Sequence, residues 1–180
     1  MNVLSTRIPE VLIIEPLVFG DDRGFCLESF NEREMRKIGI DAHFVQDNHS
    51  RSARNVLRGL RYQLDQPQGK LVRVVSGKIF DVAVDLRRNS PTFGAWEGVE
   101  LSAENRRLLW IPPGFGHGFV VQSETADVLY KASDYYAPQS EHTILWRDTE
   151  IGIDWPIEGT PILSAKDMAG TSFREAPVYS

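Results

Sequence analysis

Asn55-Val56-Leu57-Arg58-Gly59-Leu60-Arg61-Tyr62-Gln63 and, after a short polar break, Gly69-Lys70-Leu71-Val72-Arg73-Val74-Val75-Ser76-Gly77-Lys78-Ile79-Phe80-Asp81-Val82-Ala83-Val84-Asp85-Leu86 form the stretch that decides the fold. Apolar and β-branched residues dominate it. Arg58, Arg61, Lys70, Arg73 and Asp81 sit among them, and side-chain alternation along strands aims several of these charges at one surface. That is the pattern of a polar site inside a β fold. Phe80, Val82, Val84 and Leu86 share one face, Asp81, Ala83 and Asp85 the other, and Ser76-Gly77-Lys78 reads as the turn of a hairpin. The plainer alternative is a two-stranded hairpin with a solvated charged face.

Working outward, 180 residues suit one domain with a substantial core, here residues 1–180 with an N-terminal arm and a C-terminal tail. Hydrophobic content of 42% and charged content of 25% are those of a soluble globular protein. No apolar run approaches the roughly 20 residues of a membrane span, so no membrane partner is expected. The balance of 20 basic against 25 acidic residues, without a basic block, argues against nucleic acid as a partner. Cys26 is the only cysteine, which excludes an intrachain disulfide. With no secretory pattern at Met1 to Pro9, a reducing cytoplasm is the expected location.

Upstream, Val11 to Ile14, bounded by Pro9 and Pro16, reads as a short strand suited to pairing with a second subunit. Phe19 to Gly24 is a turn leading into a strand from Phe25 to Phe30. Asn31 caps one short helix, with Glu34 three residues on and Gly39 ending it. Further strands follow over Ala42–Asp47, Trp96–Leu101, Leu108–Ile111, Gly118–Gln122 and Ala126–Ser133. So many short strands with Gly and Pro turns predict an antiparallel sandwich or barrel. Beyond Trp146, Asp154-Trp155-Pro156 and Thr160-Pro161 interrupt any long strand, and the tail is expected to pack over the barrel. By composition alone, Leu163 to Asp167 is a solvated turn.

Three constellations could carry chemistry. Pro112-Pro113-Gly114-Phe115-Gly116-His117 has the form P-x-G-x-x-H of the second cupin motif. The HxH pair that completes many cupin metal sites is missing, and His43, His49, His117 and His142 are widely spaced, so no metal is expected. His117 is either a hydrogen-bonded structural histidine or a substrate contact. Asp47-Asn48-His49-Ser50 concentrates polar groups, and Tyr130, Tyr135 and Tyr136 cluster farther on, as acid/base candidates or as core or interface aromatics.

Taken together, several segments closely resemble the dTDP-4-dehydrorhamnose 3,5-epimerase family. They include Phe19-Gly20-Asp21-Asp22-Arg23-Gly24-Phe25, Phe44 to Ser50, Val56 to Leu60, Gln68 to Arg73, Asp81 to Asp85, Ser90 to Gly94, Trp110 to Phe119, Leu129-Tyr130-Lys131, Tyr135 to Pro138 and Asp148 to Pro156. The resemblance covers nearly the whole chain. It implies an all-β, cupin-type antiparallel jelly roll with a few short helices, a homodimer with exchanged N-terminal strands, and no cofactor or metal. It also implies a nucleotide-sugar substrate, a 4-keto-6-deoxy sugar epimerised at C3, C5 or both. The 4-keto group acidifies those C–H bonds, a base forms the enolate, and a tyrosine on the opposite face returns a proton. By the same resemblance Tyr130 is the proton donor, Lys70 the enolate partner and His117 a substrate contact. Gln46, Asp47, Asn48, His49 and Arg58 hold the nucleotide sugar. Arg23 and Glu28 contact the nucleotide at the entrance, Glu141 and Lys166 bind further out, and Tyr136 stacks on the base. Asp81 and Asp167 correspond to the carboxylates near the family's catalytic histidine.

One position departs. The family reads L-R-G-L-H-[YF]-Q where this chain has Leu57-Arg58-Gly59-Leu60-Arg61-Tyr62-Gln63, so Arg61 stands at the base. A guanidinium stays protonated throughout the physiological range and cannot accept a carbon-bound proton. Paired with Asp81 and Asp167, it would hold a fixed charge in the site. Three readings stand: a variant using another base, with His49, His117 or a carboxylate as candidates; a non-catalytic sugar-nucleotide binding homologue; or a replacement of the natural residue. A keto-isomerase, which also needs a base, is a further class.

Overall fold

Residues of the organising stretch are buried on both faces, which two stacked sheets and a covering tail explain. The computed structural model describes all residues from 1 to 180. One sheet has six strands in the order β1 (Asn2–Ser5), β2 (Leu12–Glu15), β10 (Leu108–Ile111), β7 (Lys70–Ser76), β12 (Thr125–Ala132) and β5 (Gln46–Ala53). The other has five: β13 (Glu141–Thr143), β6 (Leu57–Gln63), β11 (Phe115–Val121), β8 (Lys78–Asp85) and β9 (Trp96–Ser102). All strand pairings within these sheets are antiparallel, and the chain passes back and forth between the sheets from β5 to β8. This is the expected jelly roll.

Alternation then sorts the side chains. Val72 and Val74 of β7, Leu109 and Ile111 of β10, and Ala126 and Val128 of β12 meet Ile79 and Ala83 of β8 and Phe115, Phe119 and Val121 of β11 between the sheets. On the outer face of the five-stranded sheet, Leu57, Leu60, Val82, Val84 and Val120 pack under Ile144, Ile151, Trp155, Phe173 and Ala176 of the tail. On the outer face of the other sheet, Ile14, Leu71, Leu108 and Trp110 pack with Met35 of α1 (Glu32–Lys37) and Ile40. The tail lies over the barrel as expected, and Asn31 caps α1, its Oδ1 accepting from the backbone N–H groups of Arg33 and Glu34.

Several expectations are corrected. Ser76-Gly77-Lys78 is no hairpin turn, because β7 and β8 belong to different sheets. Gly77, at φ +75°, is the corner between them, and a Cβ there would lie 2.0 Å from the Thr125 carbonyl oxygen. The solvated charged face is likewise excluded, since Asp81 and Asp85 are fully buried. The strand expected over Ala42–Asp47 begins only at Gln46. The N-terminal arm is a pair of sheet strands, with β2 hydrogen-bonded on both sides within the chain, so the free edge there is β1. Leu163 to Asp167 is not a solvated turn: it runs into a short helix, α2 (Ala165–Met168), whose Asp167 is buried.

Candidate active site

The apolar filling between the sheets stops short at one end, leaving a cavity of about 270 Å³. One wall comes from the six-stranded sheet, through Gln46, Asn48 and Ser50 of β5, Lys70 of β7 and Tyr130 of β12. The facing wall comes from the five-stranded sheet, through Arg58 and Arg61 of β6 and His117 and Phe119 of β11. Gln63, Gln68, Phe115, Tyr136, Glu141 and Tyr179 add to the lining, with Gly59, Tyr62 and Gly118.

Strict alternation would place Arg58 and Arg61 on opposite faces of β6. Three residue steps from Arg61 to Arg58 match only two from His117 to Phe119, so β6 carries one extra residue. Gly59 supplies it at φ +123°, where a Cβ would come within 2.4 Å of Gly118 Cα. The bulge turns both arginines into the cavity. Arg58 is steadied there by donating to Ser52 Oγ at 3.1 and 3.0 Å.

Arg61 and His117 on the β6–β11 wall each have their own carboxylate, whereas Arg58 has only the Ser52 hydroxyl. Arg61 donates from Nε and Nη2 to the two oxygens of Asp167 at 2.9 and 3.0 Å, a bidentate pair, and its Nη1 lies 3.9 Å from Glu141 Oε1. Asp167, 1% exposed, also accepts from Ser164 Oγ at 2.6 Å and the Gly59 N–H at 3.3 Å. Asp81, expected beside Arg61, serves His117 instead: His117 Nε2 lies 3.0 Å from both of its oxygens. The reason is strand order: β8 pairs with β11 and not with β6, so Asp81, turned between the sheets, lies beside His117 rather than Arg61.

Opposite, Tyr130 and His117 approach edge to face with ring centroids 6.5 Å apart. Burial pushes the Tyr130 phenol up, with the Arg61 and Arg58 charges pulling the other way, so it stays a proton donor near neutrality. Burial pulls the Lys70 ammonium down to about 8, opposed by the charges of Asp81 and Glu141 and assisted by Arg61. At the rim, Lys166 Nζ bonds Glu141 and reaches the Tyr136 hydroxyl.

Among the residues picked out from sequence, Gln46, Asn48, Arg58, Arg61, Lys70, His117, Tyr130, Tyr136 and Glu141 line the cavity, with Asp81 and Asp167 behind its wall and Lys166 at its rim. Four do not join them. Asp47 and His49 point to the other side of β5, where Asp47 pairs with Lys131 and His49 with Asp127, both at 2.8 to 2.9 Å. The sequence offered the signal: positions 46 and 48 share a face that 47 and 49 cannot. Arg23 and Glu28 lie at the hairpin of β3 (Val18–Asp21) and β4 (Gly24–Leu27), which pairs only with itself, and the Arg23 side chain is 90% exposed. Ser50, Gln63, Gln68, Phe115, Phe119 and Tyr179 were not singled out as site residues; the first five lie in or beside motifs already visible, whereas nothing local marks Tyr179.

An acid on one wall and proton-accepting or charge-stabilising groups on the other is what inversion at a carbon acid needs. Comparisons with known proteins agree. The family model described as dTDP-4-dehydrorhamnose 3,5-epimerase matches residues 5–175. The dTDP-4-dehydrorhamnose 3,5-epimerase of Pseudomonas aeruginosa is 57% identical over 180 residues, 99% of each chain. That of Salmonella typhimurium is 58% identical over 178 residues, 98% of this chain and 97% of its own. The structure of a dTDP-6-deoxy-D-glucose-3,5-epimerase from Legionella pneumophila, in complex with dTDP-4-keto-L-rhamnose, superposes with a TM-score of 0.96 at 52% identity, covering 98% of this chain and 94% of that one. Fold, cavity and near full-length identity converge, and the chain belongs to the dTDP-4-dehydrorhamnose 3,5-epimerase family.

Proposed function

We propose that this chain epimerises a dTDP-linked 4-keto-6-deoxy sugar at C3 and C5, in deoxysugar biosynthesis of the rhamnose type. The observation that carries the reading is the placement of Tyr130 across the cavity from the β6–β11 wall, because a proton removed at one wall and returned from the other inverts the carbon. Lys70, beside Tyr130, supplies positive charge to the enolate oxygen. Gln46, Asn48 and Arg58 hold the diphosphate and sugar, Tyr136 stacks on the base, and Glu141 and Lys166 close the rim. Residues 1–180 act as one domain, and the chain works in the cytoplasm; no helix is long and apolar enough to cross a membrane.

The working unit is a homodimer. Leu17, Phe19 and Phe25 are each 60% or more exposed on or beside the β3–β4 hairpin, a surface suited to packing on a second copy. Such packing would bring Arg23 and Glu28 of one subunit toward the cavity of the other, which accounts for their distance from the cavity of their own chain.

A second reading has one observation in its favour: the Arg61–Asp167 pair places a fixed cation where the family's base belongs, which suits a protein that binds the sugar nucleotide without turning it over. Incubation with dTDP-4-keto-6-deoxyglucose in deuterated water separates the two. Epimerase activity gives deuterium at both C3 and C5 with inverted product. Binding without deuterium entry gives the second reading, and deuterium at C3 alone a mono-epimerase.

A further inference from the structure

We infer that His117, positioned by Asp81, is the general base of this chain. The inference rests on the epimerase reading and names the group that removes the proton when position 61 cannot.

Position and register carry it first. His117 and Arg61 are directly paired residues on adjacent antiparallel strands, so His117 occupies the same wall one strand over, facing Tyr130. A proton taken here and replaced by Tyr130 still crosses from one face of the sugar to the other. The carboxylate of Asp81, fully buried, lies 3.0 Å from Nε2 through both oxygens and keeps the proton on that nitrogen. Nδ1 then carries the lone pair, and it has no hydrogen-bond partner in the protein. This is the base-and-orienter arrangement of general-base catalysis.

The other candidates fail on geometry. His49 faces away from the cavity, bonded to Asp127. Lys70 stands on the strand next to Tyr130, so base and acid would share a wall, giving exchange with retention rather than inversion. Glu141 is bound to Lys166, and Asp167 to Arg61 and Ser164.

The step balances without any further reactant. The proton at C3 or C5 moves to Nδ1, the C–H electron pair forms the enolate with its charge on the 4-oxygen, and Tyr130 delivers its proton to the opposite face. Solvent then reprotonates the phenolate and takes the proton from the imidazolium.

Deuterium entry at C3 in the full-length protein tests this, with dTDP binding measured separately by calorimetry. His117→Gln keeps a donor for Asp81, and it should slow exchange by roughly 10²- to 10⁴-fold while dTDP affinity stays within about threefold. Asp81→Asn, which removes only the orienting charge, should lower kcat for exchange with little change in KM. Adding Arg61→His to His117→Gln should restore exchange, since Asp167 can orient an imidazole there as Asp81 does at 117; this rescue also shows that the altered protein is folded. Exchange in His117→Gln within about threefold of the unaltered protein overturns the assignment and leaves the epimerase reading intact. No exchange in the unaltered protein, with dTDP still bound, overturns both.

Discussion

Two side chains stand next to each other on one wall of the cavity, each held by a carboxylate no more than 1% exposed, and they can do different things. Asp167 reaches Arg61 from α2 of the tail; Asp81 reaches His117 from the neighbouring strand β8. The scaffolding is alike, so the group held decides the chemistry. A guanidinium locked in a bidentate pair is a permanent charge that can bind an oxyanion but cannot take a proton. An imidazole with one nitrogen fixed keeps the other free to accept one. On the assignment inferred above, the wall's base is the imidazole at 117, beside a guanidinium at 61.

The largest effect should come from the opposite wall. Tyr130→Phe should lower formation of inverted product by roughly 10²- to 10⁴-fold while deuterium exchange at the base persists, and mass and NMR analysis of substrate and product separates the two rates. Equal loss of both would mean that Tyr130 also takes part in proton removal.

Arg61→Ala leaves Asp167 buried with only Ser164 and the Gly59 N–H, and should destabilise the fold by about 3 kcal/mol, a fall in Tm of roughly 6–12 °C by calorimetry. A change under about 1 kcal/mol would show that the pair is structurally idle.

Lys70 sharpens the contrast in the other direction, because its folded-state pKa of about 8 lies below its ordinary 10.5. The folded protein bears a charging cost that is complete below pH 8 and is shed as pH rises toward 10.5. Lys70→Met should therefore stabilise the free protein by roughly 1–3 kcal/mol at pH 7, fading to nothing near pH 10.5, in denaturant titrations at a series of pH values. The smallest effect belongs to the histidine outside the cavity: His49→Ala should leave exchange and dTDP affinity within about threefold, because Arg51 still pairs Asp127 at 2.8 Å.

The strands β2 and β6 to β12 were legible because alternating β-branched residues and Gly or Pro breaks are local signals, and the cap at Asn31 is local as well; β5, polar along most of its length, and the short β1, β3 and β13 carry no such signal. Which strands pair was not legible at Gly77, where a positive-φ glycine serves a corner between sheets as readily as a hairpin turn. The same limit moved Asp81 from Arg61 to His117: both carboxylates were visible, but their partners depend on strand order. For Asp47 and His49 the parity of β5 was available in the sequence and was outweighed by the motif in which they sit. At Arg58 and Arg61 parity alone would have misled, because the bulge at Gly59 is a tertiary contact with Gly118. Asp167 lies in a stretch whose composition is that of a solvated turn, and only packing of the tail over the barrel buries it.

For inversion, the sugar must lie between His117 on one wall and Tyr130 on the other. A crystal structure of the Tyr130→Phe protein with bound dTDP-4-keto-6-deoxyglucose tests it most directly. C3 or C5 should lie about 3–3.5 Å from His117 Nδ1, with the ring at position 130 against the opposite face of the sugar and Arg61 still on Asp167. A sugar bound with both residues on one face, or with Arg61 swung away from Asp167 and another group at the C–H bond, would contradict it.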